Sequence, residues 1–335
     1  MRLPALDFSP LADDVPGAVA RVPAAPGVAE ILGPEGRSLV LGTASNLRQW
    51  AASRLGLAGP GAAGRRPRTN LAGIATAVGW TRAEGAFCQR LIYERLMAPR
   101  VPLSARRDLK PPVFLHLDPA QGFPRVTIRG AEDGTAGLFG PFPDRRAAEK
   151  ARDAVLRAFP LRPCDYSFEP DPAWPTGLGC LYAQVRSCAA PCLGRVDEDT
   201  YRSLAGRAAD WLALPSARAE VPSGVPGFVA SVEGSRAVIV DAGRRDVGLY
   251  PVSRGRVLDE AAVLVAPADL DGAVARLSWP SPGPSEDWPW LASWLRTPKG
   301  RASYVVAGDP PDREALAAAV RAVLPARIAA LAARC

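Results

Sequence analysis

Apolar residues along the chain follow strand spacing in some segments and helix spacing in others. Two short apolar runs, at 28–32 and 38–41, flank residues 33–36 with two Gly and one Pro, which predicts a β-hairpin. Apolar side chains then recur three and four positions apart at 43–55 and 84–97, which predicts two helices. Their predicted apolar faces consist of Leu47, Trp50, Ala51 and Leu55, and of Phe87, Leu91, Ile92 and Leu96.

The remaining patterns divide the chain further. Strands are predicted at 113–117 and 125–129, and helices at 144–159 and 198–214. After a Pro- and Ser-rich link at 215–226, apolar runs at 227–232, 237–240 and 263–265 and a final Ala-rich helix predict an α/β unit. The expected organisation is a loose N-terminal arm (1–25), a first domain (26–110), a middle region (111–214) and a C-terminal α/β domain of unknown role (227–335).

Length and composition are those of a globular protein. The 335 residues suggest two or three domains, and 48% hydrophobic with 22% charged residues is an ordinary balance. The sequence has no apolar run of about 18 residues and no signal-peptide pattern near its start. A cytoplasmic protein without membrane association is therefore expected.

The net charge of +7 is concentrated in one segment. Between residues 44 and 110 there are twelve Arg or Lys and three acidic residues, a local balance of +9. Clustered cations suit a phosphate backbone, so DNA is the expected partner; a solvated surface in an Arg-rich chain is the alternative. The candidate DNA-binding residues are Arg48, Arg54, Arg65, Arg66, Arg68, Arg100, Arg106, Arg107 and Lys110.

Four cysteines form the strongest chemical signal. Cys164, Cys180, Cys188 and Cys192 have the spacing C-x15-C-x7-C-x3-C. Four thiolates suit a [4Fe–4S] cluster or a structural zinc ion, and the absence of C-x2-C pairs favours iron–sulfur. The alternative is four buried small apolar residues. Cys88 is predicted to lie in the core and Cys335 to be incidental.

Several segments match one family pattern. Residues 26–29 read PGVA where the family has PGVY, and 38–48 read SLVLGTASNLR where it has a VLYVGKAKNLR-like run. Residues 139–143 (FGPFP) match its FGPY/FGPF turn, and 159–164 (FPLRPC) its FPLRTC. Residues 180–195, with CLY and RSCAAPCLGR, match CLYYQIGRCLAPCVGR. Over residues 23–214 the chain thus resembles the UvrC/Cho family of excision-repair nucleases.

This resemblance implies a fold and a function. The fold would be α/β (α+β), with a small GIY-YIG-like mixed sheet flanked by helices, a four-cysteine metal-binding segment and the C-terminal α/β unit. The function would be DNA repair by nucleotide excision, with DNA and UvrB-like proteins as partners. The four cysteines would hold a [4Fe–4S] cluster.

The reactive positions of a GIY-YIG nuclease are substituted in this sequence. The resemblance puts the two Tyr positions on Ala29 and Val40, the Lys on Thr43 and the Arg on Trp50; the metal-binding Glu falls on Arg90. No confident catalytic residue remains, which predicts an inactive site. Glu94, one helical turn after Arg90, is a weak candidate for a shifted Mg²⁺ ligand.

Two functions therefore stay open. One is a non-catalytic DNA-binding protein, and the other is an active metal-dependent endonuclease with a rearranged site. For Glu94, the alternative to a metal ligand is a surface salt bridge with Arg90. The single histidine, His116, lies in a strand-like run and is predicted to be structural.

Overall fold

The computed structural model describes residues 5–11, 14–57, 69–83, 85–102, 105–106, 109, 113–130, 137–142, 144–174, 180–213, 230–231, 236–243, 246–280, 287–295, 297–307, 311–326 and 328. Within these residues the strands form three antiparallel sheets, each with helices packed against it. The predicted α/β class is confirmed in outline, although the first sheet is antiparallel throughout rather than mixed. No helix in these ranges is long and apolar enough to cross a membrane.

The first unit is built around the predicted hairpin. Its elements are β1 (Asp7–Pro10), α1 (Val15–Arg21), β2 (Gly27–Leu32), β3 (Ser38–Ala44), α2 (Leu47–Arg54), β4 (Ala77–Arg82) and α3 (Ala86–Met97). The strand order is β1-β4-β2-β3, and Ala29 pairs with Gly42 across the hairpin. Helix α2, predicted to start at residue 43, begins at Leu47. The Asn46 side chain accepts a hydrogen bond from the Gln49 N–H (3.0 Å) and caps the helix there.

The N-terminal arm is ordered where it is described, so the prediction of a loose arm is wrong for that part. β1 pairs with β4, and α1 begins after Asp14, whose carboxylate accepts a hydrogen bond from the Gly17 N–H (2.7 Å). Leu11 and Val19 are buried in the same core as Trp50. The abundance of Pro and Ala concealed these elements, because too few apolar residues recur there to form a recognisable period.

The middle unit comprises a second sheet and its helices. Its elements are β5 (Val113–His116), β6 (Thr127–Gly130), β7 (Leu138–Phe142), α4 (Arg145–Ala158), α5 (Leu181–Gln184), α6 (Glu198–Ala213) and β8 (Ala230–Ser231). The strand order is β6-β5-β7-β8. The core between the sheet, α4 and α6 includes Phe142, Val155 and Tyr201, and the helices at 144–159 and 198–214 are confirmed within one residue at each end.

Two predictions fail in this unit. The FGPF segment at 139–142 lies in strand β7 rather than in a turn. Gly140 has a φ of 156°, and a Cβ there would lie 2.7 Å from the Phe114 ring, so the strand needs glycine for this close approach. The run at 227–232 was expected to belong to the C-terminal unit, but its described residues, 230–231, extend the middle sheet.

The C-terminal unit contains the third sheet. Its elements are β9 (Arg236–Ala242), β10 (Val247–Ser253), β11 (Arg256–Val257), β12 (Val263–Val265), α7 (Leu270–Arg276), α8 (Trp288–Leu295), α9 (Pro298–Ala302), β13 (Tyr304–Val306) and α10 (Arg313–Ala322). The strand order is β11-β10-β9-β13, and β12 also pairs with β10. Strand β10 is buried at every position and was not predicted, because its residues show no apolar–polar alternation.

Helix α3 shares a hydrophobic core with the C-terminal unit. The Phe87 ring lies 5.0 Å from the Tyr250 ring, 5.9 Å from Trp290 and 5.4 Å from Trp294, measured between ring centroids. At the other end of α3, Arg95 forms ion pairs with Asp259 and Asp287. Phe87 and Leu91 of the predicted apolar face are therefore buried in a core that includes residues more than 150 positions away in the chain, such as Tyr250. Ile92 and Leu96 of the same face pack instead in a cluster with Val28 and Ala83.

The N-terminus of α3 is capped from the C-terminal unit. The Asp241 carboxylate, only 4% exposed, accepts a hydrogen bond from the Cys88 N–H (2.8 Å). A Cβ at Gly85 would lie 1.9 Å from the Asp241 Oδ2, so glycine makes room for the carboxylate. Burial raises the pKa of Asp241, and the hydrogen bond from Cys88 only partly opposes this.

Replacing Asp241 by Asn should remove one pH-dependent component of stability. Since the raised pKa makes the folded protein hold this proton more tightly than the unfolded chain does, wild-type stability falls as pH rises from 3.8 through the raised pKa. Asn keeps an oxygen for the Cys88 N–H but does not ionise. Urea denaturation at several pH values should show the stability of the variant increasing relative to that of wild type as pH rises. Above the raised pKa of Asp241 the difference in stability should become constant. A difference that grows as pH falls would contradict this.

Candidate functional site

A cleft of about 500 Å³ opens where β3, α3 and the α8 region meet. It is lined by Leu41, Gly42 and Thr43, by Ala86, Gln89, Arg90 and Tyr93, and by Ser293, Trp294 and Thr297. Two positions picked out by the resemblance, Thr43 and Arg90, therefore line one cleft. Sequence reasoning missed the wall from the C-terminal unit, because nothing in the aromatic run at 288–295 shows which surface it faces.

The other substituted positions lie in the packed core. Ala29 is fully buried, and Val40 packs against the same cluster. Trp50 is 8% exposed, and its Nε1 would lie 3.3 Å from a Cβ placed on Gly42. Ala and Val offer no proton acceptor, and the indole offers no cation, so these three side chains contribute packing alone.

Glu94 is buried between two arginines. Its side chain is 2% exposed; Oε1 lies 2.6 Å from Arg90 Nη2 and 3.2 Å from Arg106 Nη2, and Oε2 accepts from Arg106 Nη1. The Tyr93 ring lies against both guanidinium groups, 5.7 Å and 5.9 Å from their carbons. The predicted pair with Arg90 is confirmed, but Glu94 is buried rather than on the surface. A metal ion would have to displace both arginines from this carboxylate.

The predicted DNA-binding residues are in different environments. Arg48 is exposed, although its Nε donates to the Val22 carbonyl (2.8 Å), and the Arg54 guanidinium stacks 5.4 Å from the Trp50 ring. Arg100 pairs with Glu30 (3.1 Å). Five of the candidates lie outside the described residues: Arg65, Arg66, Arg68, Arg107 and Lys110.

The prediction that Arg106 binds DNA is wrong. It is 6% exposed and its guanidinium is directed at Glu94, so it has no surface to offer a phosphate backbone. The count of +9 also omitted acids from outside the segment. Arg95 pairs with Asp259 and Asp287, which a count over 44–110 does not include.

Backbone hydrogen bonds link the segments that carry three of the four cysteines, Cys164, Cys188 and Cys192, and Cys192 lies in a short helix at 191–193. The Ala189 N–H, next to Cys188, donates to the Pro160 carbonyl (2.7 Å), four residues before Cys164. The Asp171 N–H donates to the Cys192 carbonyl (3.0 Å). Ala190 has a left-handed backbone conformation (φ 56°), and its N–H donates a hydrogen bond to the Cys188 Sγ (3.3 Å).

The pKa values of two of these thiols, Cys188 and Cys192, are raised. Burial raises the pKa of the Cys188 thiol, and the charges of Cys164, Cys180 and Cys192 raise it further. Burial likewise raises the pKa of Cys192, with added contributions from Cys180 and Cys164. Among the residues that the structure describes, however, no three His, Cys, Asp or Glu side chains are arranged so that they could hold one metal ion.

Cys88 and His116 lie in buried or partly buried positions within the fold. Cys88 is partly buried against the core that α3 shares with the C-terminal unit, and burial raises its thiol pKa although a hydrogen bond with Tyr250 opposes this. His116 is 7% exposed in strand β5 and pairs with Thr127 of β6. Both environments match the structural roles predicted for these residues. Cys335 lies outside the described residues.

Comparisons with known proteins find one family. Residues 113–211 match the middle domain of the UvrC/Cho excinuclease family. The UvrABC system protein C of Paenarthrobacter aurescens is 30% identical over 264 residues, covering 76% of this chain and 37% of that protein. Its counterpart in Methylococcus capsulatus is 28% identical over 197 residues (58% and 31%), and that of Renibacterium salmoninarum 34% over 190 (55% and 28%). The chain thus spans about a third of the length of these relatives, and no solved structure matches it.

Proposed function

The chain belongs to the UvrC/Cho family, and on this premise we propose that it is a DNA-repair protein that binds DNA without cutting it. The proposal rests on the ion pairs of Glu94. Both of its oxygens are engaged by arginines, and the residue in the metal-binding position is itself Arg90. A divalent cation needs an available carboxylate to stabilise the scissile phosphate.

The substitutions in the hairpin and in α2 support the same conclusion. A hydrolytic nuclease needs a group that activates water and a cation that stabilises the developing charge on phosphorus. Ala29, Val40 and Trp50 supply neither. The alternative is an active endonuclease that uses Mg²⁺ at Glu94, and it would need the arginines to rearrange.

A four-cysteine centre is the second part of the proposal. Cys164, Cys180, Cys188 and Cys192 would hold a [4Fe–4S] cluster, with zinc as the alternative. Backbone hydrogen bonds that link the segments carrying Cys164, Cys188 and Cys192 support one shared site. A cluster bonds each thiolate to a different iron, so it needs sulfurs farther apart than a single tetrahedral ion does.

When bound, the cluster would supply structural cross-links between loops. The segment from Leu161 to Pro172 contains no helix or strand, and short helices follow at 181–184 and 191–193. Such a segment buries little apolar surface of its own, so metal binding would contribute directly to its folding. Partners of the whole family, DNA and a UvrB-like protein, are proposed for this chain by extension.

DNA binding is tested by its dependence on salt. We expect duplex DNA to bind without strong sequence preference, with log affinity falling steeply as log salt rises. Replacing Arg65, Arg66 and Arg68 together by Ala should reduce the slope by about 3, roughly one for each lost phosphate contact. Fluorescence anisotropy between low and physiological salt measures both slopes.

The matched control removes three charges elsewhere. Arg145, Arg146 and Arg157 are exposed on α4 in the middle unit, and their replacement by Ala changes the net charge equally. This variant should keep the wild-type slope. Affinity that ignores salt, or equal slopes for both triple variants, would contradict binding through the basic segment.

A further inference from the structure

A small polar pocket of about 120 Å³ lies beside β6, the edge strand of the middle sheet. Thr127 and Arg129 are alternate residues of β6, so their side chains leave the strand on the same side. His116 of β5 pairs with Thr127 and lies on that side as well. The register of the two strands therefore gathers polar side chains on one face, and the wall of the pocket includes His116, Asp118, Arg125, Thr127, Arg129 and Arg162.

The loop that leads into β6 is held in place before any ligand arrives. The Arg162 Nε donates a hydrogen bond to the Phe123 carbonyl (2.7 Å), and the Tyr201 hydroxyl donates to the Pro124 carbonyl (3.2 Å). Phe123 has a left-handed backbone conformation (φ 45°), which is strained for a residue with a Cβ. Its ring packs 5.5 Å from the Tyr201 ring. Arg125, which follows this loop, is thus positioned in advance, and a preorganised site loses little entropy on binding.

The charged side chains of the wall favour an anion. Arg125, Arg129 and Arg162 contribute three positive charges, against the single carboxylate of Asp118. The hydrogen bonds of Arg162 go to backbone carbonyls, which do not cancel its positive charge. Asp118 accepts a hydrogen bond within its own loop, from the Ala120 N–H (3.0 Å). Guanidinium groups bind phosphate oxygens through paired N–H donors, whereas three of them would repel a metal ion.

A hydroxyl group in the same wall lacks an acceptor. Thr127 lines the pocket, and its Oγ1 is buried without a hydrogen-bond partner in the described part of the chain. Burying a hydroxyl without a partner costs free energy. An oxyanion in the pocket would bring acceptor oxygens to this wall.

The size of the pocket limits what the anion can be. At about 30 Å³ for each water molecule, the pocket has room for about four waters. That space suits one tetrahedral phosphate group, whereas sites that enclose a whole small molecule take about 300–1,000 Å³. A sugar and base attached to the phosphate would therefore remain outside the pocket.

We propose that this pocket binds one phosphate group, held by Arg125, Arg129 and Arg162. The group is either a backbone phosphate of bound DNA or a free phosphate ion. The pocket goes beyond the function proposed above, because it belongs to the middle unit and contains none of the arginines of the basic segment.

Calorimetric titration of the full chain with inorganic phosphate, at constant ionic strength, tests this site. We expect saturable binding at a single site in wild type. Arg125→Gln and Arg129→Gln should each weaken that binding at least about tenfold, since each removes a charged donor. Arg157→Gln, on the exposed face of α4 in the same unit, is the matched control and should bind as wild type. No saturable binding to wild type, or wild-type affinity in folded Arg125→Gln and Arg129→Gln, would overturn the proposal.

Two further measurements cover the case that a glutamine variant does not fold. Arg125→Lys and Arg129→Lys keep the charge and should still lose affinity, because lysine lacks the forked donor. Phosphate should raise the urea midpoint of wild type more than that of Arg129→Lys, since a ligand that binds the folded state stabilises it. General salt effects act equally on both proteins, so equal rises in the two midpoints would overturn the proposal.

Binding of duplex DNA separates the two sources of phosphate. If the group is a DNA backbone phosphate, the double variant Arg125→Gln/Arg129→Gln should reduce the salt slope by about one. An unchanged slope together with weakened binding of inorganic phosphate identifies the free ion. The triple Ala variant at Arg65, Arg66 and Arg68 should bind inorganic phosphate as wild type does, so failure of the basic segment to bind DNA leaves this site unaffected.

Discussion

Replacing Arg95 by Ala is expected to lower the free energy of unfolding by about 3 kcal/mol, because the change removes the cation from a largely buried ion-pair network. Arg95 Nε lies 2.6 Å from Asp259 Oδ2, and Nη2 lies 2.9 Å from Asp259 Oδ1 and 3.0 Å from Asp287 Oδ2. Burial alone would lower the pKa of Arg95, but its hydrogen bonds with the two aspartates raise the pKa above the ordinary value. Urea denaturation measures the loss.

The matched control for this prediction is Arg82→Ala. Arg82 is an exposed arginine at the end of β4, and its removal should change stability by about 0.5 kcal/mol or less. Since Arg95 joins α3 to the C-terminal unit, its loss should also speed proteolysis there before global unfolding. A change below about 1 kcal/mol would show that the network does not hold the two parts together.

Replacing Cys188 by Ser is expected to abolish iron binding. Anaerobically purified wild type should be brown, with about four irons per chain and absorbance bleached by dithionite, whereas the variant should be colourless. The variant should also unfold at lower urea concentration, because the bound cluster would no longer cross-link the loops. Iron analysis and absorbance spectra measure the first effect, and denaturation the second.

Cys88→Ser is the matched control, since Cys88 lies on α3 in the core shared with the C-terminal unit and outside the four-cysteine segment. It should keep the full iron content. Stoichiometric zinc in wild type would keep the site and change the cofactor. A metal-free wild type whose stability equals that of Cys188→Ser would contradict the centre altogether.

The elements that the sequence predicted best have strong local patterns. The hairpin of β2 and β3 has a Gly/Pro turn between apolar runs, and α3 has apolar residues three and four apart. Strand β10 lacks such a pattern because it is buried on both faces. β7 contains Gly140 and Pro141, which are typical of turns, yet the close contact with Phe114 makes glycine necessary within a strand.

The site was less predictable because its contacts are distant in sequence. The residue types at Ala29, Val40, Trp50 and Arg90 could be found by comparing motifs alone. Arg106, which follows a turn after α3, pairs with Glu94 and helps to neutralise its charge. Arg95 pairs with two aspartates from the C-terminal unit. A local charge count cannot detect such pairs, so it overestimated the cationic surface.

Plasmid nicking in the presence of Mg²⁺ or Mn²⁺ tests most directly whether the protein cuts DNA. Damaged supercoiled plasmid is incubated with wild type, with Glu94→Ala and with Arg157→Gln as a surface control, all purified identically. None of the three preparations should produce metal-dependent nicks, because the arginines occupy the carboxylate that a metal would need. Nicking by wild type and Arg157→Gln that is lost in Glu94→Ala would contradict this prediction and establish a rearranged, active nuclease.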